Sequence, residues 1–298
     1  MKGTYWILKR LSHHICGLSS KDAEAWGLWL GRLVWACVPP KRKRLAVSNI
    51  LRAGVAKTEE EALRIARESA MRFGPMAVSM FRFPLLSRDN ISQFVTITGI
   101  EKLQALQSEG KGCILAATHC GNWELEGAAI ALHGFPLLSV AMKQKNEEFD
   151  RFITEYRSLP GQVIEYKTGV RDMLRRLKEG YFVGLLCDQD PGEAGMLSPF
   201  LGQRTLTATG PAHFACLTDL PVMTALIHRT GTETYEIIVG DPITATPGVS
   251  KKEAISEITD QINARLEAWI RTYPEEWFWL HNRWKSTDRF YPEERHGI

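Results

Sequence analysis

From Phe94 onward the chain alternates short apolar, β-prone runs with longer stretches whose apolar residues recur at helical spacing. Strands are predicted at residues 94–97, 112–118, 137–141, 163–165 and 181–187, with helices between them at 101–108, 123–133, 147–157 and 170–179. Strands and helices alternating at this length argue for a sheet that is mainly parallel. Residues 191–206, rich in Gly and Pro, read as a loop. A helix over 208–219, a hairpin of 222–228 with 235–239 around Gly231, a long helix over 251–273 and an aromatic segment at 274–285 complete the pattern. The expected class is α/β: a mainly parallel mixed sheet flanked by helices.

Before Phe94 the rhythm is helical only. Residues 5–53 read as two or three short helices broken around Pro39-Pro40, and Thr58-Glu-Glu-Glu61 resembles a capping box opening a helix that runs to Phe81. The chain therefore divides into a helical extension over 1–58 and an α/β domain over 59–298.

Charge separates these two parts further. Of the whole-chain net charge of +3, residues 1–58 hold eleven Lys or Arg, Lys2 among them, against Asp22 and Glu24, which leaves the remainder at −6. The same segment carries Trp26, Trp29 and Trp35. Cations with interfacial tryptophans fit a helix lying on an anionic membrane surface. The apolar run at 26–38 contains Arg32 and falls short of the roughly 20 residues a spanning helix needs, so a monotopic association is expected. Residues 1–20 lack the long apolar core of a cleavable signal peptide. Nucleic acid is not expected as a partner, because the cations are mixed with bulky tryptophans and no nucleic-acid motif occurs.

Candidate chemistry concentrates in His119-Cys-Gly-Asn-Trp-Glu124, at the C-terminal end of the predicted strand 112–118, where open α/β sheets collect their ligands. Imidazole takes up a proton near neutral pH, and a carboxylate on its other nitrogen fixes the tautomer. Glu124 is expected to hold His119 in this way, with Gly121 supplying the bend and Asn122 supporting the turn. Cys120 is a rival nucleophile, but adjacent residues of an extended chain face opposite sides, which places His119 poorly to activate it. All six cysteines lack metal-site spacing, so neither a metal nor another cofactor is expected, and the thiols suit a reduced, cytosol-facing protein. A metal-dependent hydrolase using His119, Glu124 and Asp188 as ligands remains an alternative, as does a membrane-binding module without activity.

The hexad resembles the His-x4-Asp/Glu motif of glycerolipid acyltransferases, in the form typical of bacterial lipid A late acyltransferases. Asp188-Gln189-Asp190, Pro199-Phe-Leu-Gly202 and Tyr273-Pro-Glu-Glu-Trp-Phe-Trp-Leu-His-Asn-Arg-Trp-Lys285 look like further blocks of that family in the same order. Cys120 stands where relatives often carry an aromatic residue. The resemblance implies transfer of an acyl chain from acyl carrier protein to a hydroxyl of a Kdo-bearing lipid A precursor at the cytoplasmic face of the inner membrane, through a monotopic or single N-terminal anchor. It also implies supporting roles for Asn146 and Arg157, the latter beside the carboxylate or on an acceptor phosphate. Arg204 is a further phosphate candidate, and Asp188 is expected to order a strand-end loop. Trp277, Trp279 and Trp284 are expected to pack the terminal helix, while Arg283 and Lys285 are candidates for lipid phosphate or the carrier protein. Acyl transfer to another glycolipid, such as a mannosylated phosphatidylinositol, is the nearest alternative.

Overall fold

Buried on both faces, the strands of a parallel sheet read as nearly continuous apolar runs, and those predicted from Phe94 onward assemble into one sheet. The computed structural model describes residues 3–167 and 169–294; Lys2 lies outside them. Strands β1 (Val95–Thr98), β2 (Cys113–Ala117), β3 (Leu137–Ala141), β4 (Val163–Tyr166), β5 (Phe182–Leu186), β8 (Val222–Arg229) and β9 (Tyr235–Val239) lie in the order β1-β9-β8-β2-β5-β3-β4. Every neighbouring pair is parallel except the β8–β9 hairpin.

Helices α6 (Ile100–Ser108), α7 (Trp123–Leu132), α8 (Glu147–Ser158), α9 (Val170–Lys178), α10 (Gly210–Thr218), α11 (Lys251–Thr272) and α12 (Lys285–Phe290) follow between and after the strands. Side-chain alternation along β2 divides the core in two. Leu115 joins the cluster under α7, and Ile114 and Ala116 join the opposite cluster, which includes Ile262, Leu266 and the terminal tryptophans.

Two predicted elements differ from those observed. The segment at 191–206 is no plain loop: β6 (Met196–Phe200) and β7 (Gln203–Thr207) pair there as a separate antiparallel hairpin, turned by Leu201 and Gly202, both at positive φ. The helix expected from Thr58 to Phe81 is two helices, α4 (Glu59–Met71) and α5 (Phe73–Phe81). Pro75 has no N–H to give to Met71, so the α-helical ladder is interrupted between Met71 and Phe73.

That break lets α5 cross α2 at backbone contact. Of the N-terminal helices α1 (Thr4–Cys16), α2 (Ser20–Cys37) and α3 (Pro40–Arg52), α2 meets α5 through Gly27 and Gly31. A Cβ at Gly31 would fall 2.1 Å from the Met71 carbonyl oxygen, so only glycine permits the crossing. The other side of α2 presents Trp26, Trp29 and Leu33 to solvent at helical spacing. Among the described residues no helix is long and apolar enough to cross a membrane.

Candidate active site

Parallel register brings the site together. Ala117 of β2 lies opposite Leu186 of β5, so two residues beyond the strands His119 stands beside Asp188. The imidazole Nδ1 is 2.8 Å from Asp188 Oδ1. Oδ2 of the same carboxylate accepts three further hydrogen bonds, from Thr118 Oγ1 (2.8 Å), the His119 backbone amide (2.9 Å) and Trp277 Nε1 (2.6 Å). Burial alone would raise the Asp188 carboxyl; the His119 ring and these donors outweigh it and hold the group well below the usual carboxylate range. An ionised carboxylate only accepts, so Nδ1 carries a proton, and in the neutral ring Nε2 is then the nitrogen with the lone pair.

Glu124 does not hold the imidazole. Both of its oxygens are taken by Arg157, with Nε at 2.8 Å from Oε2 and Nη2 at 2.6 Å from Oε1. The first turn of α7 aims Glu124 toward the last turn of α8, where Arg157 sits, and two parallel N–H donors match a carboxylate better than one ring nitrogen does. Burial opposes the charge of Arg157, yet its hydrogen bonds and attraction to Glu124 raise the guanidinium above its ordinary value. Arg157 thus stands beside the Glu124 carboxylate, while the carboxylate partner of the His119 ring is Asp188. The metal-hydrolase alternative needs Glu124 and Asp188 to converge on His119, and Glu124 does not.

The rest of the hexad builds the turn. Gly121 has φ 64°, and a Cβ there would lie 2.5 Å from the Ile227 carbonyl oxygen. Asn122 caps α7 by accepting the Leu125 amide at 3.1 Å, and Asn146 caps α8. Cys120 is fully buried, and burial first, then the nearby carboxylates, push its thiol well above its ordinary value, so it is no nucleophile.

The aromatic C-terminal segment straps this turn in place. Phe278 N–H donates to the His119 carbonyl (3.1 Å), and Gly121 N–H donates to that of Glu276 (3.0 Å). Trp277, Trp279 and Trp284 are buried, as packing required, but Trp277 also holds Asp188, a role that sequence reasoning missed. Arg283 is only 1% exposed and donates to the Leu206 carbonyl and Thr207 Oγ1, which removes it as a contact for phosphate or a carrier protein. Lys285, in contrast, lines a surface groove with Lys41, Arg42 and Arg44. Arg204 is exposed on the β6–β7 hairpin and pairs with Glu294 rather than with the hexad.

Beside the hexad a cleft opens between α7 and strands β2, β3 and β5. Trp123, Glu124, Arg157 and Ala117 line its mouth region, and the His119 ring meets Trp123 edge-on with centroids 5.1 Å apart. From Ala141 to Leu137 the cleft follows β3 for roughly 13 Å, at about 3.3 Å per residue. Its walls are largely apolar, from Leu115, Ile130, Leu137 and Leu186. Glu126, Ser139 and Gln162 interrupt them, and Glu126 is a second residue that sequence reasoning missed. An acid within the otherwise apolar stretch Leu125–Leu132 was its visible signal.

The chain is similar to known proteins over most of its length. Residues 20–286 match the family described as bacterial lipid A biosynthesis acyltransferase. The chain is 25% identical over 250 residues to a phosphatidylinositol mannoside acyltransferase of Mycolicibacterium smegmatis, covering 82% of this chain and 79% of that protein. A lipid A biosynthesis acyltransferase of Haemophilus influenzae is 22% identical over 285 residues, covering 86% and 87%. A lipid A biosynthesis palmitoleoyltransferase of Escherichia coli is 20% identical over 264 residues, covering 87% and 84%.

Proposed function

The chain belongs to the bacterial lipid A biosynthesis acyltransferase family, and from that premise we propose that it moves a fatty acyl group from an acyl carrier protein thioester to a hydroxyl of a Kdo-bearing lipid A precursor. The observation that carries the reading is the His119–Asp188 pair, which leaves Nε2 free as a base next to an apolar cleft. The acyl chain lies in the cleft, where each buried methylene contributes about 0.8 kcal/mol.

Nε2 takes the proton of the acceptor hydroxyl as its oxygen attacks the thioester carbonyl. Asp188 balances the imidazolium that forms. As the tetrahedral intermediate collapses, the carbon–sulfur bond breaks and the imidazolium returns the proton to the departing thiol. Direct transfer of this kind needs no side-chain nucleophile, because the thioester is already activated. Arg157, fixed by Glu124, borders the cleft and is placed to meet an anionic part of a substrate.

His119→Ala lowers acyl transfer by about 10²- to 10⁴-fold while the circular dichroism spectrum stays that of the wild type. Near-normal transfer by the purified variant would overturn the reading. Phosphatidylinositol mannosides are the second acceptor class, favoured by the mycobacterial relative. Mass spectrometry of glycolipids from cells with and without the gene separates the two by which lipid gains an acyl mass.

We place the protein at the cytoplasmic face of the inner membrane, with Trp26, Trp29 and Leu33 of α2 in the lipid interface and the basic groove of Lys41, Arg42, Arg44 and Lys285 toward anionic groups. Replacing Trp26 and Trp29 by Ser weakens sedimentation with anionic vesicles. Unchanged sedimentation would remove α2 from the interface.

A further inference from the structure

Glu126 is an anomaly in the cleft wall. It is 5% exposed, lines the cleft, and its Oε2 is buried without a hydrogen-bond partner. Unpaired buried carboxyls are uncommon because desolvation goes uncompensated, and an aliphatic residue would line an acyl cleft without that cost.

The surroundings of Glu126 are built rather than incidental. Gln162 and Ser139 line the same cleft, and Ser139 Oγ donates to Gln162 Oε1 at 2.6 Å. The Gln162 carboxamide occupies the notch left by Gly127, where a Cβ would fall 2.6 Å from its Oε1. Gly184 of β5, next to Ser139 in register, adds no side chain to the wall, which keeps this level of the cleft open. Three polar side chains from α7, β3 and the residue preceding β4 therefore line one largely apolar cleft, two of them hydrogen-bonded to each other.

We propose that Glu126, Gln162 and Ser139 form a polar subsite for a hydroxyl group carried on the acyl chain, so that the enzyme selects a hydroxylated acyl donor over a plain one. This rests on the acyl-transfer reading above. Burial pushes the Glu126 carboxyl well above its ordinary value, which favours the protonated form, and a protonated carboxyl offers both an O–H donor and a carbonyl acceptor. A hydroxyl likewise donates and accepts. The match is specific, because a plain chain at this level would leave the carboxyl unpaired, and sites built to hydrogen-bond a hydroxyl reject analogues that lack it.

The test offers the full-length protein a series of lauroyl thioesters, one plain and the others bearing a single hydroxyl at successive carbons, and compares kcat/KM. At least one hydroxylated isomer is preferred by about tenfold or more. Glu126→Leu brings that ratio close to one by slowing the hydroxylated donor, and Glu126→Gln, which keeps a donor and an acceptor, retains part of it. A wild type that uses the plain donor as well as or better than every isomer overturns the subsite without needing any variant to fold. So does a preference that survives Glu126→Leu undiminished. Transfer from the plain donor with no preference leaves the acyl-transfer reading standing, whereas no transfer from any thioester to either glycolipid class removes both.

Discussion

Two buried carboxyls lie on either side of the strand ends, and the fold treats them in opposite ways. Asp188 receives four donors and is held ionised; Glu126 has an oxygen with no partner and is held neutral. Burial works against charge in both, so the difference is made by attraction to the His119 ring and by the donors around Asp188. Donors cluster on Asp188 beside His119, whereas Glu126 Oε2, in the cleft wall, receives none.

Asp188→Asn attacks the charged side of this contrast and should have the largest effect. Three donors converge on Oδ2, so the amide places its oxygen toward them and turns its NH₂ to His119 Nδ1. Nδ1 must then accept, the ring proton moves to Nε2, and the base is lost. Acyl transfer falls by about 10²- to 10⁴-fold, with the fold largely intact. Activity within a few-fold of wild type would mean that another group sets the tautomer.

Trp277→Phe is milder, removing one donor to Oδ2 while keeping an aromatic ring in the core. A hydrogen bond to a charged group contributes about 1.5–3 kcal/mol, and a loss of that size is expected in urea unfolding at neutral pH. The sign with pH follows from the depressed Asp188 carboxyl. Its contribution is complete above the unfolded value near 4 and is lost as pH falls through the folded value. The part of the Trp277→Phe deficit that comes from the carboxylate therefore shrinks in acid. A deficit that is the same at neutral and strongly acidic pH would assign it to packing instead.

How much of this was legible depended on whether the cause was local. Strand β2 was the plainest to see because a strand buried on both faces is a short apolar run, whatever its neighbours. The β6–β7 hairpin was hidden by Pro191, Gly192, Pro199 and Gly202, which read as loop although two short strands pair there. In the site, His119 announced itself by its place after β2. Its partner did not, because the nearby Glu124 answers to Arg157 in α8, while the true partner is 69 residues away on a strand whose adjacency to β2 no local pattern states. Glu126 was visible as an acid among apolar residues, but its lack of a partner belongs to the packed structure.

Glu126→Gln probes the neutral side of the contrast and should have the smallest effect within any one pH unit. In the unfolded wild type the carboxyl ionises as pH rises past its ordinary value near 4.5, whereas in the folded chain burial holds the proton until a higher pH. Between the two values the unfolded state binds fewer protons, so wild-type stability falls by about 1.4 kcal/mol per pH unit from this group. Glutamine has no proton to lose. The stability of Glu126→Gln relative to wild type should therefore climb with pH above about 4.5 and level off once the folded carboxyl ionises. Parallel stability curves over that range would show that Glu126 is charged in the folded chain, and the contrast with Asp188 would collapse. A climbing difference that is flattened by a bound hydroxylated lauric acid, but not by lauric acid itself, would tie the neutral carboxyl to the ligand it is proposed to meet.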